Sequence, residues 1–392
     1  MKPKLLVTAS TFPRWEGDTE PRFVLDLSKA LLKYFDVTVL VPAAIGAKDK
    51  EVLEGVNVIR YHYFPIHKWE TLCYPGAIVP RIKEKRLRIV LVPFLLIALW
   101  WKLLRMLHEF DVVHAHWIIP QGIVQSFFSK PYMVTGHGGD VTSLNKGIIK
   151  KWKIKCLKKA SFVTVVSKAL EKEIHKLYPV KNIQVISMGC DLSKFGKQFR
   201  VENYFAQNEK KIVLFVGRLA EKKGVTYLIN AMKNIDALLI IVGDGPLKQQ
   251  LEEQASQMKN KIKFLGAKTH EELKTIYASS DIFVAPSITA KDGDKEGFGL
   301  VFLEAMASGL PVIGSNSGGI PSIVKDGENG FLVEEKDVKD LQEKIEILIR
   351  NPDLYDRFSH NAIVTAKGYD YQIIGRRYAD MLNKMRKLKN AE

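Results

Sequence analysis

The sequence predicts an α/β protein with two domains, each built on a parallel β-sheet. At 392 residues the chain is too long for one ordinary hydrophobic core and fits two domains of about 190 residues each. Short apolar runs of strand length alternate with segments of helix length, which is typical of parallel sheets covered on both faces. Ligands of such sheets bind at the carboxyl ends of the strands, so the loops that follow the strands are where functional residues are expected.

Each half of the chain contributes its own series of predicted elements. In the first half, strands are predicted at residues 5–9, 37–41, 112–116, 133–135, 162–166 and 184–187, with a helix at 22–33. In the second half, strands are predicted at 211–216, 238–242, 281–287 and 331–333, with helices at 337–350 and 369–387. The polar segment 196–211 predicts an exposed connector and a domain boundary near 195.

Composition restricts the class of protein. With 46% hydrophobic and 26% charged residues the chain has the composition of a soluble globular protein, and its first residues form too short an apolar run for a signal peptide. The cysteines Cys73, Cys156 and Cys190 are scattered without metal-binding spacing, and we expect reduced thiols in a cytoplasmic protein. No aromatic-rich RNA-binding motif or groove-reading helix is apparent, so no nucleic-acid partner is expected.

The net charge of +16 is concentrated in the first half of the chain. Residues 1–195 carry 30 Lys+Arg against 16 Asp+Glu, whereas the remainder carries 29 against 27. Such an asymmetry indicates that the first half meets an anionic surface or ligand. The alternative is that the lysines are ordinary solvated side chains.

A basic and apolar stretch spans residues 81–108. Five cations up to Arg88 precede an apolar run at 89–101, which is too short to span a bilayer and contains Pro93. Two interpretations stay open: a buried helix of the first domain, or a segment that lies on anionic lipid. Seven lysines between residues 146 and 159, around Trp152, form a second basic patch.

The clearest functional pattern lies at residues 296–304. Glu296 and Glu304 flank a glycine-containing entry into an apolar run, which predicts a helix starting near Gly299. The start of a helix presents backbone N–H groups without partners and a partial positive charge, so it suits a phosphate. Glu296 is then expected on the loop at the helix start, and Glu304 inside the helix.

This segment also carries a family resemblance. The two glutamates, the run Glu-Ala-Met-Ala-Ser-Gly-Leu-Pro-Val from Glu304 and Gly-Gly-Ile-Pro from Gly318 resemble the E-x7-E signature of retaining glycosyltransferases of family 4. Residues 186–195 resemble the inter-domain segment of that family, although Met188 stands where members usually carry Asn or His. The resemblance covers nearly the whole chain and implies the GT-B arrangement, two Rossmann-like domains facing a cleft.

The resemblance also implies how the chain is divided. Residues 1–195 are expected to form an acceptor-side Rossmann-like domain, and residues 196–370 a Rossmann-like domain that binds the sugar nucleotide. Residues 371–392 are expected to form a C-terminal helix that crosses back to the first domain.

Two cations follow the predicted strand at 211–216. Arg218 and Lys223 are five residues apart across a short strand-to-helix loop, so both can converge on one anion. Fixed cations of this kind neutralise the charge that develops on a pyrophosphate leaving group without a metal. The resemblance implies this role for both. It adds the backbone N–H groups of Phe298, Gly299 and Leu300 for the diphosphate, and Glu304 for the ribose hydroxyls.

The remaining site residues come from both halves. His137 lies between glycines at a strand end, where it has little apolar surface to pack on, so a polar role is favoured. The resemblance implies that His137 contacts the donor sugar near its reacting carbon, that Glu296 binds hydroxyls of that sugar, and that Gly17 belongs to a loop facing donor and acceptor. Asp140 is a candidate to orient His137.

Three further residues are expected to line the binding site of the nucleotide base. Gly245 lies in a Gly-x-Gly turn after the strand at 238–242, and Leu265 and Gly266 follow the next apolar segment. Their role is implied by the resemblance, because such turns are frequent in any α/β domain.

No metal and no cofactor are expected. His114 and His116 face the same way on one predicted strand, but no third ligand is in view. The segment Asp292-Gly293-Asp294 mimics the D-x-D metal motif of a different glycosyltransferase architecture, but it lies in a polar insertion and is expected to form a solvated turn.

The resemblance therefore implies a metal-independent, retaining hexosyl- or glycosyltransferase. It would move a sugar from a nucleotide-diphosphate sugar to a saccharide or lipid-linked acceptor in surface polysaccharide or glycoconjugate synthesis. The basic first half favours a cytoplasmic protein in peripheral contact with the anionic inner face of the plasma membrane. The alternatives are a sugar-nucleotide 2-epimerase of the same architecture, and a non-catalytic basic protein that binds membrane or nucleic acid.

Overall fold

The computed structural model of the chain describes residues 2–206 and 210–389. The chain divides into two compact units, Met1–Gly189 with Tyr371–Glu392, and Cys190–Asp370. The division lies between Gly189 and Cys190 rather than at the predicted position 195. Residues 207–209 of the predicted connector and residues 390–392 of the predicted C-terminal segment lie outside the described residues.

The described residues form two sheets, one in each unit. The strands of the first unit are β1 (Lys4–Thr8), β2 (Asp36–Pro42), β3 (Lys50–Leu53), β4 (Val56–Tyr61), β5 (Val112–His116), β6 (Tyr132–Gly136), β7 (Phe162–Val165) and β8 (Ile183–Val185). The strands of the second unit are β9 (Lys211–Val216), β10 (Ala237–Val242), β11 (Ile262–Gly266), β12 (Ile282–Ala285), β13 (Val312–Ser315) and β14 (Gly330–Val333).

Helices connect most of these strands. The first helices along the chain are α1 (Phe23–Leu31), α2 (Ile78–Glu84), α3 (Leu91–Met106), α4 (Ile123–Gln125), α5 (Gly139–Thr142), α6 (Gly147–Lys159) and α7 (Lys168–Leu177). They are followed by α8 (Val225–Ala231), α9 (Lys248–Gln254), α10 (His270–Ala278), α11 (Leu300–Ala307), α12 (Val338–Arg350), α13 (Pro352–Lys367) and α14 (Tyr371–Lys389).

The first sheet has the strand order β3-β4-β2-β1-β5-β6-β7-β8 and is parallel except for β3, which pairs antiparallel with β4. β3 and β4 form a hairpin that was not predicted from the sequence. Its two turn residues, Glu54 and Gly55, have φ of 48° and 87°, as a two-residue hairpin turn requires. The strand order changes direction between β1 and β5, so ligands of this sheet are expected at the carboxyl ends of those two strands.

The second sheet has the order β11-β10-β9-β12-β13-β14 and is parallel throughout. All six residues of β10 are buried, as expected of a central strand with helices on both faces. Burying one such aliphatic side chain stabilises the unit by about 1.5–3 kcal/mol. The order changes direction between β9 and β12, and the crevice at this point is the expected ligand site of the second unit.

The C-terminal helix α14 belongs to the first unit. It packs against α1, where Gly375 lies so close to Ala30 that a Cβ at position 375 would be 2.6 Å from the Cβ of Ala30. The Tyr378 side chain is fully buried and its hydroxyl donates to the carbonyl of Ile186 at 2.9 Å. The last helix is thus part of the hydrophobic core of the first unit.

Helix α3 is only half buried. Leu91, Leu95, Leu99 and Leu103 form a buried stripe along it, whereas most of its other apolar side chains are exposed. Of the two interpretations left open for this stretch, a fully buried helix does not hold, because one face of α3 is exposed. The stretch Arg86–Glu109 extends beyond the apolar run at 89–101, which was predicted too short to span, and it is long and apolar enough to cross a membrane by length and composition. Its most apolar window of 18 residues has a mean hydropathy of 2.0, and 22% of that window is buried.

Candidate active site

The ion pair between Lys223 and Glu296 lies at the switch point of the second sheet. Lys223 follows β9 and Glu296 follows β12, and these two strands are neighbours although 73 residues separate the two side chains in sequence. The ammonium nitrogen of Lys223 is 2.5 Å from Oε2 of Glu296, and each side chain is 14% exposed. The topology thus brings together two residues that were predicted from the sequence to lie at the donor site.

The charges around Glu296 keep its carboxylate ionised. Burial raises its pKa, but the neighbouring charges of Lys223 and Lys222 outweigh burial and lower the pKa of Glu296 to about 2. An ionised carboxylate accepts hydrogen bonds and does not donate them. Glu296 is therefore suited to receive hydroxyl groups.

Lys222 is a second cation at this point, which was not singled out from the sequence. Its ammonium lies 3.0 Å from Oδ2 of Asp294. Burial lowers the pKa of Lys222, but the charges of Glu296 and Asp294 raise it above its usual value, so Lys222 stays protonated. In the segment 292–294, the backbone N–H of Asp294 donates to Asp292 at 3.1 Å, which forms the predicted turn. The turn is not merely solvated, because Asp294 holds Lys222.

Three glycines allow the backbone to close around this ion pair. Gly224, directly after Lys223, has φ of 65°, and a Cβ there would lie 1.9 Å from the carbonyl oxygen of Pro286. A Cβ at Gly318 would lie 2.2 Å from the carbonyl oxygen of Glu296, and the N–H of Gly319 donates to that oxygen at 2.9 Å. The Gly-Gly pair of the sequence motif therefore supports the loop that carries Glu296.

The predicted helix start after Glu296 is confirmed. α11 begins at Leu300, and Gly299 precedes it with φ of 94°, a conformation that favours glycine. Phe298 is buried, and its ring lies 5.8 Å from that of Tyr369. Inside the helix, Glu304 accepts a hydrogen bond of 2.8 Å from the hydroxyl of Tyr277. The first backbone N–H groups of α11 and the carboxylate of Glu304 therefore belong to one rigid element.

The loops after β9 and β10 lie backbone against backbone. The N–H of Leu219 donates to the carbonyl of Asp244 at 2.9 Å, and a Cβ at Gly245 would lie 2.5 Å from the carbonyl oxygen of Leu219. Gly266 ends β11, and its carbonyl accepts from the N–H of Gly243 at 2.8 Å. The structure thus places Gly245 beside the loop that carries Arg218, and Gly266 beside Gly243 in the loop after β10.

The predicted donor residues of the second unit therefore share one edge of one sheet. Arg218 and Lys223 follow β9, and a Cβ at Gly217 would lie 3.6 Å from Cε of Lys223, so the lysine side chain extends back along the loop that leads to Arg218. The segment 296–304 follows β12. The roles given to these residues stay predictions.

In the first unit, His137 lies in a cluster of aromatic rings. Nε2 of His137 is 3.0 Å from Nδ1 of His116, and the rings of Trp117 and Phe23 are 4.9 Å and 5.1 Å away. His116 ends β5 and Trp117 follows it, and His137 follows β6, the neighbouring strand. Sequence reasoning missed Trp117 and Phe23 as partners of His137.

Asp140 holds the backbone around His137. Its Oδ1 accepts from the N–H groups of His137 and Gly138 at 3.0 Å and 2.9 Å, and its Oδ2 accepts from the N–H of Ile118 at 2.8 Å. The predicted orienting role of Asp140 therefore holds for the main chain of His137, whereas the imidazole ring of His137 meets His116.

These histidines are neutral at physiological pH. Burial lowers the pKa of His137 to about 3, and burial together with the neighbouring histidines lowers the pKa of His116 well below its usual value. Nε2 of His116 is buried and has no hydrogen-bond partner within the part of the chain that is described. A neutral imidazole offers one donor and one acceptor, so His137 can hydrogen-bond a hydroxyl without carrying a charge.

Gly17 lies in the loop that follows β1, on the first unit. It is exposed, with φ of 79° and no heavy atom within 4 Å of the place where a Cβ would be. The loop around it is fixed: Arg14 pairs with Asp18 through hydrogen bonds of 2.9 Å and 2.6 Å, and Arg60 donates to the carbonyl of Arg14 at 3.0 Å. Gly17 is thus an exposed residue without close neighbours among the described residues, in a loop that hydrogen bonds hold in place.

Among residues 2–206 and 210–389, one group of potential metal ligands lies outside the predicted site. The ligand atoms of His62, His67 and Glu70 lie within 4.8 Å of one another. His62 already contacts Oε2 of Glu70 at 2.7 Å and Oδ1 of Asp49 at 3.1 Å. Burial lowers the pKa of His62, but the two carboxylates raise it above its usual value. These contacts are those of an ion-paired histidine.

Comparisons with known proteins agree with this geometry. The family Glycosyltransferase Family 4 matches residues 21–194, and the family Glycosyl transferases group 1 matches residues 197–365. A glycosyltransferase of Methanocaldococcus jannaschii, MJ1178, is 31% identical over 67% of this chain and 72% of its own length. The colanic acid biosynthesis glycosyltransferase WcaL of Salmonella typhimurium, whose assignment is putative, is 31% identical over 52% of each chain.

Solved structures share the fold over nearly the whole chain. Sucrose-phosphate synthase from Thermosynechococcus elongatus has a TM-score of 0.80 at 22% identity and covers 100% of both chains. HepE from Anabaena, in complex with UDP-glucose, has a TM-score of 0.74 at 20% identity and covers 97% of this chain and 100% of its own. The chain belongs to glycosyltransferase family 4 and has the GT-B fold.

Proposed function

We propose that this glycosyltransferase moves a sugar, with retention of configuration, from a nucleotide-diphosphate sugar to a saccharide or lipid-linked acceptor. The observation that carries the proposal is the Lys223–Glu296 pair at the β9/β12 switch point, directly before the start of α11. Cations for a diphosphate and a carboxylate for sugar hydroxyls meet there at the edge of the sheet where ligands bind.

The donor diphosphate is assigned to the second unit. Arg218, Lys223 and the N–H groups of Phe298, Gly299 and Leu300 would hold it, because they combine two cations with the positive end of α11. Glu304, held by Tyr277, would accept the ribose hydroxyls. Gly245, Leu265 and Gly266 would border the base. The complex of HepE with UDP-glucose supports a nucleotide sugar as donor.

The chemistry of the transfer is the one that the family resemblance implies, and the charges of the site are compatible with it. The bond between the sugar's anomeric carbon and the diphosphate oxygen breaks, and the acceptor oxygen bonds to the same face of that carbon. The acceptor's proton passes to the departing phosphate oxygen, so the protein need not supply a base. Lys223 and Arg218 offset the charge that develops on the leaving group, which lowers the barrier without a metal or another cofactor.

Glu296 and His137 are assigned to the transferred sugar. Glu296 is an ionised acceptor for hydroxyl groups, and its two lysine neighbours disfavour its use as a nucleophile, because they stabilise the free carboxylate. His137 would offer a neutral imidazole near the reacting carbon, and Gly17 would let the loop after β1 adjust to the donor and acceptor.

The acceptor and the location complete the proposal. The excess of positive charge in the first half of the chain fits an anionic, lipid-linked acceptor. The similarity to WcaL, a putative colanic acid biosynthesis glycosyltransferase, supports a role in surface polysaccharide synthesis. We place the protein in the cytoplasm, in peripheral contact with the inner face of the plasma membrane.

The test begins with donor binding. Titration calorimetry with a panel of nucleotide-diphosphate sugars, in the presence of EDTA, should find one that binds, and Lys223→Ala should weaken it at least tenfold. Lys339→Ala, which removes an exposed lysine of α12, is the matched control. Failure of every nucleotide sugar to bind would overturn the proposal.

Product analysis then separates the alternatives. Transfer to saccharide or polyprenyl-diphosphate-linked acceptors should give a product whose anomeric configuration, read by NMR coupling constants, equals that of the donor. Isomerisation of the nucleotide sugar without any acceptor would indicate a 2-epimerase instead. Loss of transfer in EDTA, restored by a divalent cation, would overturn metal independence.

A further inference from the structure

We propose that α3 and its neighbours form a membrane-docking surface that lies in the plane of an anionic lipid leaflet. The surface consists of the outer face of α3, the turn before it, and the exposed aromatic residues of α6 and the segment after α4. The proposal deepens the lipid-linked acceptor of the proposed function by naming the residues that meet the membrane.

The outer face of α3 exposes an unusual amount of apolar side chain. In this helix and the turn before it, seven apolar residues are at least 41% exposed: Leu87, Ile89, Val90, Phe94, Ile97, Trp101 and Leu104. Trp100 is 38% exposed, and Phe127 and Trp152 nearby are 49% and 36% exposed. Contiguous exposed apolar surface on this scale marks an interaction site rather than ordinary surface.

These side chains form a ridge with an apolar groove on each side. One groove runs between Ile97 of α3 and the segment 62–67, and the other between Trp100 of α3 and Trp152 of α6. Tryptophan is a preferred residue at the interface between lipid headgroups and acyl chains, because its ring is apolar and its N–H is polar. A ridge of apolar side chains that is bordered by apolar grooves can insert between lipid acyl chains.

The charges around this surface indicate an anionic partner. Residues 85–108 contain five cations and no Asp or Glu, and residues 141–170 contain eight lysines and no Asp or Glu. Lys150 and Lys151 are exposed on α6 next to Trp152, and Lys155 lies 3.8 Å above the ring of Phe127. Arg88 is paired with Glu84 at 3.1 Å, but cations outnumber carboxylates around the patch. An apolar patch framed mainly by cations complements an anionic bilayer, which offers acyl chains below a layer of negative charge.

Lys153 does not belong to this basic frame. Its side chain is buried and its ammonium donates to the carbonyls of Val141 and Ser143 at 2.9 Å and 3.0 Å. The other lysines of the patch predicted from the sequence at 146–159 remain candidates for contact with lipid headgroups.

The geometry favours a helix lying in the interface over one that spans the bilayer. The buried stripe Leu91, Leu95, Leu99 and Leu103 is part of the core of the first unit, and spanning would strip it from that core. Length does not exclude spanning, because the whole stretch Arg86–Glu109 is long enough to cross a bilayer, so the buried stripe decides between the two arrangements. Spanning would also draw Lys102 and Arg105, in the last turns of α3, into lipid.

The surface is connected to the histidine cluster within the same unit. α3 contacts α4, which continues directly from the turn Ile118–Gly122. Trp117 immediately precedes that turn, and its ring lies 4.9 Å from that of His137. A lipid-linked acceptor held in the leaflet would therefore reach a surface that is contiguous with His137.

The test uses the full-length protein and vesicles without any sugar donor. We expect co-sedimentation with vesicles of phosphatidylglycerol and phosphatidylcholine, little with phosphatidylcholine alone, and strong weakening when salt rises from 0.1 to 0.5 M, because headgroup attraction is screened. Ile97→Glu should weaken binding roughly ten- to hundredfold, because it removes one buried apolar side chain from the contact. Lys150→Gln with Lys151→Gln should weaken it about fivefold per cation.

Two control measurements separate loss of docking from loss of folding and from a general effect of added negative charge. Val364→Glu changes an equally exposed apolar residue of the second unit and should leave vesicle binding unchanged. Circular dichroism of the Ile97→Glu protein should match the wild type. Because donor binding is measured without vesicles, loss of donor binding and loss of vesicle binding report on separate proposals.

Three outcomes would overturn the docking surface. The first is no binding to anionic vesicles, or binding that Ile97→Glu leaves intact. The second is that the wild type is a dimer in solution, that Ile97→Glu converts it to monomers, and that neither protein binds vesicles. This face would then be a contact between two copies of the chain. The third is protein that only detergent removes from the vesicles, which would indicate a spanning helix.

Discussion

The ammonium of Lys223 and the carboxylate of Glu296 hold each other at 2.5 Å, and each is also a proposed ligand of the donor. A diphosphate that binds Lys223 must therefore compete with Glu296, while Lys222 remains close enough to stabilise the carboxylate. In the proposed roles, Glu296 would then have an oxygen available for sugar hydroxyls when the phosphate binds Lys223. Donor binding and sugar positioning would be coupled through this pair.

Glu296→Gln should change the acid stability of the protein. Glu296 has a pKa of about 2 when folded and near 4.3 when unfolded, so its stabilising effect is complete above about pH 4.3 and is lost as the pH falls towards 2. The wild type should lose on the order of 2 kcal/mol of unfolding free energy over this window that the variant does not lose. Urea unfolding at pH 5 and at pH 2.5 checks this. Glu252→Gln, on the exposed face of α9, should behave like the wild type.

His137→Gln should reduce the fall in the free energy of unfolding between pH 7.5 and pH 5. Burial lowers the pKa of His137 to about 3, so the unfolded chain takes up a proton below about pH 6.5 while the folded chain does not. Stability of the wild type therefore falls between pH 6.5 and 3, and His137 accounts for about 1–2 kcal/mol of the fall by pH 5. Denaturation at pH 7.5 and pH 5 measures it. An equal pH slope in His137→Gln and in the exposed variant His175→Gln would contradict a buried neutral His137.

Gly318→Ala should destabilise the second unit more than Gly327→Ala. Both glycines have positive φ, 56° and 73°, so each substitution costs about 1–2 kcal/mol for the left-handed backbone. Only at Gly318 would the new Cβ also lie 2.2 Å from the carbonyl oxygen of Glu296, whereas nothing lies within 4 Å at Gly327. Thermal unfolding should show a melting temperature several degrees lower for Gly318→Ala, together with weaker donor binding. Equal melting temperatures would show that the loop moves freely away from Gly318.

Tyr277→Phe should weaken donor binding with little loss of stability. The substitution removes the 2.8 Å hydrogen bond to Glu304 but keeps the buried ring. Losing one such hydrogen bond should lower the unfolding free energy by only about 1 kcal/mol. A Glu304 carboxylate that is no longer held in place should bind the ribose hydroxyls more weakly and raise KM for the nucleotide sugar. Steady-state kinetics check this against Tyr355→Phe, which alters a tyrosine of α13. An unchanged KM in Tyr277→Phe would argue against Glu304 as the ribose ligand.

Local sequence patterns were sufficient for the fold class and for the framework of the candidate site. The predicted strands at 112–116 and 211–216 match β5 and β9, and the helix start near Gly299 matches α11. These segments are fixed by apolar runs and glycines within a few residues, which is the information that a single sequence contains. The Glu54-Gly55 turn between β3 and β4 is not one of the usual Asn-Gly or Asp-Gly hairpin signals, and no hairpin was predicted there.

Partners distant in sequence were not predictable in the same way. Tyr277 and Glu304 are 27 residues apart, and His116 and His137 are 21 apart, so only the order of the strands makes them neighbours. The apolar run of α3 posed a different problem. Because nearly every position in it is apolar, periodicity cannot distinguish the face that meets the core from the face that is exposed.

The position of α14 has a consequence for how the protein is made. A ribosome reaches residue 371 only after it has synthesised the whole of the second unit, yet Tyr378, Ile374 and Leu382 are fully buried in the first. The groove for α14 in the nascent first unit therefore stays uncovered until the residues of α14 have been translated. A premature stop codon anywhere before residue 371 would leave that half of the protein without its last core helix, even though the half itself was translated first.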